Sequence, residues 1–148
     1  MLVEDVMTTD VVTCDHEATL QAAATRMLER HVGSVIVTAD GDPAGILTET
    51  DALQAGVVTD RPFSEITVGD VASHPLITVT RDVTVGRAVD RMREEDVKKL
   101  VVVDGLSLEG IVTRSDVVLH FGEFIDEAHA IDDRREDWEA RRTDVDEF

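Results

Sequence analysis

Two seven-residue segments of this 148-residue chain share one pattern, Gly-aliphatic-aliphatic-Thr-x-x-Asp: Gly45-Ile46-Leu47-Thr48-Glu49-Thr50-Asp51 and Gly110-Ile111-Val112-Thr113-Arg114-Ser115-Asp116. An apolar run that ends in Thr and meets an acidic residue reads as a strand passing into the start of a helix. Such a junction aims a threonine hydroxyl, a carboxylate three residues on and the open N–H groups of a first helical turn at one point. A carboxylate placed there can accept both hydroxyls of a ribose diol. The same spacing also suits plain capping, with Thr48 and Thr113 as N-caps and Asp51 and Asp116 favouring the helix dipole. A single copy leaves these readings balanced, whereas two copies in the same place favour binding.

The motif belongs to a longer duplication with an offset of 65 residues and no gap. Val3, Asp5, Val6, Thr13, Thr19, Ala23, Arg26, Met27, Glu29, Val32, Val37, Gly45, Ile46, Thr48 and Asp51 each meet an identical residue in the second copy. Self-similarity at a fixed period marks a supersecondary unit that cannot bury its apolar face alone, so the copies should pack on one another.

Each copy predicts the same order of elements. A short β-branched stretch, Val11-Val12-Thr13 or Leu76-Ile77-Thr78, precedes a helix capped by Thr19 or Thr84. Leu20, Ala23, Ala24, Met27 and Leu28 line one face of the first helix, and Val85, Ala88, Val89 and Met92 line the second; these stripes read as core. Val35-Ile36-Val37 and Leu100-Val101-Val102-Val103 suit strands covered on both faces. Asp40-Gly41-Asp42-Pro43 and Asp104-Gly105 then signal hairpins into the motif strands, and acidic starts at Asp51 and Asp116 open closing helices. The domain reading is a first repeat over 1–58, a linker over 59–67, a second repeat over 68–121 and an acidic C-terminal tail or helix over 122–148. The last could carry Phe124, Ile125, Ile131 and Trp138 on a helix or remain solvated.

In these features the chain resembles two cystathionine beta-synthase (CBS) domains joined as one Bateman module. The resemblance rests on both Gly-to-Asp motifs, on Asp5-Val6-Met7-Thr8, on Val32-Gly33-Ser34-Val35-Ile36-Val37 and on Val97-Lys98-Lys99-Leu100-Val101-Val102-Val103-Asp104. It implies an α/β (α+β) fold of two β-α-β-β-α repeats packed through their sheets, with two pseudo-symmetric clefts, and a homodimer of such modules. It also implies a regulatory, non-catalytic role: adenosine-containing ligands, AMP first and ATP, ADP, NAD or S-adenosylmethionine as alternatives, would bind in the clefts.

Carried over by position, one cleft would combine Thr48 and Asp51 with Ile77, Thr78, Lys98 and Lys99. The other would combine Thr113, Arg114 and Asp116 with Val12, Thr13, Gly33 and Ser34. Lys98 and Lys99 bring cations where the first copy has Gly33 and Ser34, so the Asp51 cleft is expected to favour phosphorylated ligands; a solvated strand edge is the plainer role for both lysines. Family members often carry a basic residue just before the motif Asp, and Thr50 and Ser115 stand there instead, which weakens the case for a triphosphate. The alternative function is a structural dimerisation or docking module with vestigial clefts. Exposed apolar positions on the closing helices, Leu53, Val57, Val117, Val118 and Phe121, would serve the dimer.

Composition narrows the rest. With 32 acidic and 14 basic residues the net charge is −18, which argues against nucleic acid and anionic membrane as partners. Only Lys98 and Lys99 are lysines and Asp outnumbers Glu, a bias that resembles proteins of salt-loving archaea. In molar salt the Debye length falls to about 3 Å and such a surface repels itself little. The single Cys14 precludes an internal disulfide, and His16, His31, His74, His120 and His129 are scattered, so no metal is expected. No catalytic constellation or phosphate-cradling loop is present, and the expected setting is cytoplasmic.

Overall fold

The computed structural model describes residues 1–74, 76–126 and 138. The chain comprises two compact units, Met1–Thr113 and Arg114–Phe148. The first unit holds two three-stranded mixed sheets of the same design. In one, β1 (Thr13–Asp15) runs parallel to β2 (Ser34–Ala39), which pairs antiparallel with β3 (Asp42–Thr48). In the other, β4 (Thr78–Val79) runs parallel to β5 (Lys99–Asp104), which pairs antiparallel with β6 (Ser107–Thr113). Both hairpins carry the same irregularity, at Val37/Thr38 and at Val102/Val103.

Among the described residues the sheets are accompanied by a 3-10 turn, Phe63–Glu65, and by the α-helices α1 (Val3–Val6), α2 (Leu20–Arg30), α3 (Glu49–Thr59), α4 (Val68–Val71), α5 (Val85–Glu94) and, in the second unit, α6 (Arg114–Asp126). The repeat order β-α-β-β-α is therefore present twice, and the fold class expected from the sequence is the one observed. Local chemistry agrees with it. Thr19 Oγ1 accepts from the Ala22 amide at 3.1 Å and Thr84 Oγ1 from the Arg87 amide at 3.2 Å, so both expected caps form. Asp40 and Gly41 both have positive φ, as a two-residue hairpin turn of the primed type requires. The β1 and β4 strands begin later than the apolar runs suggest. Even so, the Val12 and Ile77 carbonyls already accept from Ile36 and Val101, so pairing starts one residue before each strand.

The core is continuous apolar chain. Val35, Ile36 and Val37 of β2 and Leu100, Val101 and Val102 of β5 are all buried, as strands covered on both faces should be. Leu20, Ala23 and Met27 from α2 and Val85, Ala88 and Met92 from α5 close over them. Each large side chain buried in this way contributes about 1.5–3 kcal/mol. Two expectations fail. Leu28 is 77% exposed, because it falls past the edge of the α2 stripe at the position that Arg93 takes in α5. Val117 is buried and therefore cannot be an open docking position. Leu53, Val57, Val118 and Phe121 are exposed as expected. The second unit is seen as α6, which continues the chain directly from β6, and as Trp138, which is helical and exposed; Ile131 lies outside the described residues.

Segments between the repeats' strands are exchanged. The opening stretch of the first repeat, ahead of β1, bonds to the second: Val3 N–H donates to Val83, Glu4 N–H to Arg81, and Thr8 and Ile111 exchange both backbone bonds at 2.9 Å. The stretch ahead of β4 bonds to the first repeat: Leu20 N–H donates to Ile66, Val68 N–H to Ala18, Gly69 N–H to His16, and Ile46 and Ser73 exchange bonds at 3.0 and 2.9 Å. These crossings explain the glycines of the motif. A Cβ on Gly45 would stand 2.9 Å from the Ser73 carbonyl oxygen and one on Gly110 would stand 2.7 Å from the Thr8 carbonyl oxygen.

Gly45→Ala and Gly110→Ala should each therefore lower unfolding stability by about 1–3 kcal/mol. Gly86→Ala, on α5 with nothing within 4 Å of the new methyl, should leave stability unchanged or raise it by up to about 1 kcal/mol. Urea denaturation of the three variants checks this contrast, and equal losses at all three positions would refute it.

Candidate functional site

The Thr48–Asp51 junction is built as the strand-to-helix reading requires. β3 ends at Thr48, and α3 opens at Glu49. Asp51 N–H donates to Thr48 Oγ1 at 3.2 Å while Asp51 Oδ2 accepts from Thr48 N–H at 3.0 Å, a reciprocal capping box. The capping alternative is thus a fact of the fold. It does not exhaust the carboxylate, because the box uses Oδ2 alone and both residues line an open cavity of about 510 Å³. That volume lies within the range of small-molecule sites.

The cavity joins the two repeats. Thr48, Asp51 and Ile46 come from the first, while Ile77, Lys98, Lys99 and Val101 come from the second. Four of the five partners expected from the sequence for Thr48 are therefore brought to it: Asp51, Ile77, Lys98 and Lys99. Thr78 is not. It lines a separate cavity of about 360 Å³ between β4 and α5, together with Arg87 and Arg91, because side chains alternate across an extended segment and Thr78 faces away from Ile77.

Gly33 also departs from its expected place and lines the cavity with Asp51. The reason lies in the pairing. Ser34 is the strand partner of Thr48, and Gly33, one residue earlier, accepts from the Glu49 N–H at 3.1 Å, which ties it to its own repeat's helix start. Lys99 stands opposite Thr113 in the same way across β5 and β6. Of the residues expected around the second motif, Val12 sits at the head of β1, and the Thr13 carbonyl accepts from the Arg26 guanidinium. Arg114 and Asp116 open α6 in the second unit.

Two charged lining residues lie outside the expected set. Glu49 lies inside the motif itself, at a position whose chemistry the pattern leaves free. Asp96 sits in the turn from α5 to β5 with φ of 52°, the left-handed region. It is the counterpart, 65 residues on, of His31, which holds the same conformation after α2. Its sequence signal was the absence of a glycine where a helix must end. The lining thus carries carboxylates from Glu49, Asp51 and Asp96 and ammonium groups from Lys98 and Lys99.

Other chemistry is sparse. Among the described residues there is no group of three or more His, Cys, Asp or Glu able to hold a metal ion. Cys14 is a core residue of the first sheet, and burial pushes its thiol above the ordinary range. No helix among the described residues is long and apolar enough to cross a membrane.

This architecture is that of a known family: residues 3–58 and 68–123 each match the CBS domain, and the chain belongs to that family as a tandem pair. An uncharacterized protein of Methanopyrus kandleri is 35% identical over 118 residues, covering 78% of this chain and 60% of its own length. One from Methanocaldococcus jannaschii is 30% identical over 137 residues, covering 82% of this chain and 32% of its own. The chain thus spans roughly a third to three fifths of these relatives. A solved CBS domain pair, that of protein MJ0100 in complex with 5-methylthioadenosine and S-adenosyl-L-methionine, superposes with a TM-score of 0.75 at 22% identity, covering 83% of this chain and 97% of that one.

Since Thr48 and Asp51 cap α3 through backbone N–H groups, Thr48→Ala and Asp51→Ala should each destabilise the protein without added ligand by about 0.5–2 kcal/mol. Thr48→Ser and Asp51→Asn, which keep an acceptor in place, should be close to neutral. Chemical denaturation without ligand distinguishes them.

Proposed function

We propose that this CBS pair is a regulatory module that binds an adenosine-containing ligand in the cavity beside Asp51 and transmits occupancy to a partner or to its own oligomer. One observation carries the reading: the cavity unites the Thr48–Asp51 junction of one repeat with Ile77 and Lys98–Lys99 of the other. A ligand bridging them would bind only the assembled pair. Asp51 would accept the ribose hydroxyls, Ile77 and its apolar neighbours would pack on the base, and the lysines would meet a single phosphate. AMP is the member of the class that fits best, with a nucleoside or thioether derivative next. The complex of the MJ0100 pair with two adenosine derivatives supports the class. The role is binding rather than catalysis, and the acid surplus fits a protein working in molar salt.

A homodimer is part of this proposal. Leu53, Val57 and Val58 form an exposed apolar strip on α3, at 68%, 81% and 74% exposure, which a second copy would cover. The alternative, a purely structural module, is favoured by the capping box, which explains Thr48 and Asp51 without any ligand.

Thermal unfolding with adenosine, AMP and guanosine in molar salt separates the two. A ligand at 100 times its Kd stabilises by about 2.7 kcal/mol, and the adenine compounds should do so while guanosine does less. Asp51→Asn should abolish the shift at unchanged ligand-free stability. No shift at millimolar concentration would leave the structural alternative standing. Light scattering at micromolar concentration should return a dimer mass, reduced to monomer by Val57→Asp; a monomeric wild type would remove the dimer from the proposal.

A further inference from the structure

The first helical turn beside the Asp51 cavity carries carboxylates of its own, at Glu49 and Asp51. Glu49 is fixed there by its backbone, whose N–H donates to the Gly33 carbonyl at 3.1 Å. Its side chain then reaches the gap that Gly33 leaves. Glu49 Oε1 lies 3.5 Å and Lys99 Nζ 3.8 Å from the point where a Cβ on residue 33 would stand. A carboxylate therefore flanks the ammonium group that a phosphate would approach.

The helix terminus gives little in return. Anions bind helix N-termini through open N–H groups of the first turn. Here the Glu49 N–H is taken by Gly33 and the Asp51 N–H by Thr48 Oγ1, which leaves the Thr50 amide. Asp96, on the opposite wall, adds a further carboxylate, so Lys98 and Lys99 are outnumbered by Glu49, Asp51 and Asp96. The same motif position is Arg114 in the second copy, of opposite charge.

Resting on the adenosine reading of this cavity, we infer that Glu49 is a specificity-determining residue that restricts the site to ligands with at most one phosphate and discriminates AMP from ADP and ATP. One phosphate can sit between Lys98 and the Thr50 amide. Each further phosphate adds negative charge near Glu49 and Asp96, where Lys99, flanked by the Glu49 carboxylate, is the remaining cation of the lining. At separations of a few ångströms in partly screened surroundings, such repulsion changes an equilibrium about tenfold or more.

Titration calorimetry with adenosine, AMP and ATP, without divalent cations and at low and molar salt, tests the inference on wild type, Glu49→Gln and Asp96→Asn. Glu49→Gln keeps the side-chain length, and Asn tolerates the left-handed backbone at residue 96. Wild type should bind AMP at least about tenfold more tightly than ATP at low salt. Glu49→Gln should narrow that ratio about tenfold, and Asp96→Asn should narrow it less. Adenosine affinity should stay the same in both variants, and the effect should shrink in molar salt. If the AMP-to-ATP ratio of Glu49→Gln equals that of wild type, or if adenosine weakens as much as the nucleotides change, Glu49 does not set specificity although the cavity still binds adenosine. If wild type binds none of the three, the adenosine reading falls and this inference with it.

Discussion

The structure of the Met1–Thr113 unit depends on two places where one backbone crosses another with no room for a side chain. At Gly45 the segment ahead of β4 runs over β3, and at Gly110 the segment ahead of β1 runs over β6, each crossing held by a reciprocal pair of backbone bonds, Ile46 with Ser73 and Thr8 with Ile111. A methyl group at either position would strike a carbonyl oxygen. Each entry segment is captured by the other repeat, where it adds a bridge to that repeat's last strand. The duplication is thereby interlocked rather than merely stacked.

The site follows from that interlocking. The chain that leaves Ser73 after crossing β3 continues into Leu76 and Ile77, which arrive in the cavity beside Thr48 and Asp51. The lysines arrive by another route, as the first residues of β5 after the left-handed turn at Asp96. A ligand that touches both walls would bind the folded pair and not either repeat apart. The capping box holds the Asp51 carboxylate in position beside the cavity, which limits the side-chain ordering that binding would cost.

Much of the fold was legible because it is encoded locally and twice. The caps at Thr19 and Thr84, the turn at Asp40-Gly41 and the apolar runs at 35–37 and 100–103 each state their element through short-range chemistry, and the repeat states their order. The exchange of entry segments was not legible, since Val3 pairs with Val83 and Leu20 with Ile66 through backbone groups that leave no trace in side-chain pattern. The same limit governs the site. Thr48, Asp51, Ile77, Lys98 and Lys99 could be grouped from the motif and its family resemblance. Thr78 was grouped with them although the alternation of an extended segment turns it to the other face, and Gly33 was given to the other motif although strand pairing ties it to Glu49. Glu49 and Asp96 carry no such signal, because one occupies a free position of the motif and the other a helix stop without glycine.

The most direct test of the central claim, that the cavity between the repeats is the adenosine site, is residue-by-residue amide NMR of the protein titrated with adenosine. The account predicts that the largest shift changes cluster at Thr50, Ile77, Val97, Lys98 and Lys99, on both walls of one cavity and saturating together. Changes confined to the β4–α5 groove around Arg87 and Arg91, or an unchanged spectrum at millimolar adenosine, would contradict it.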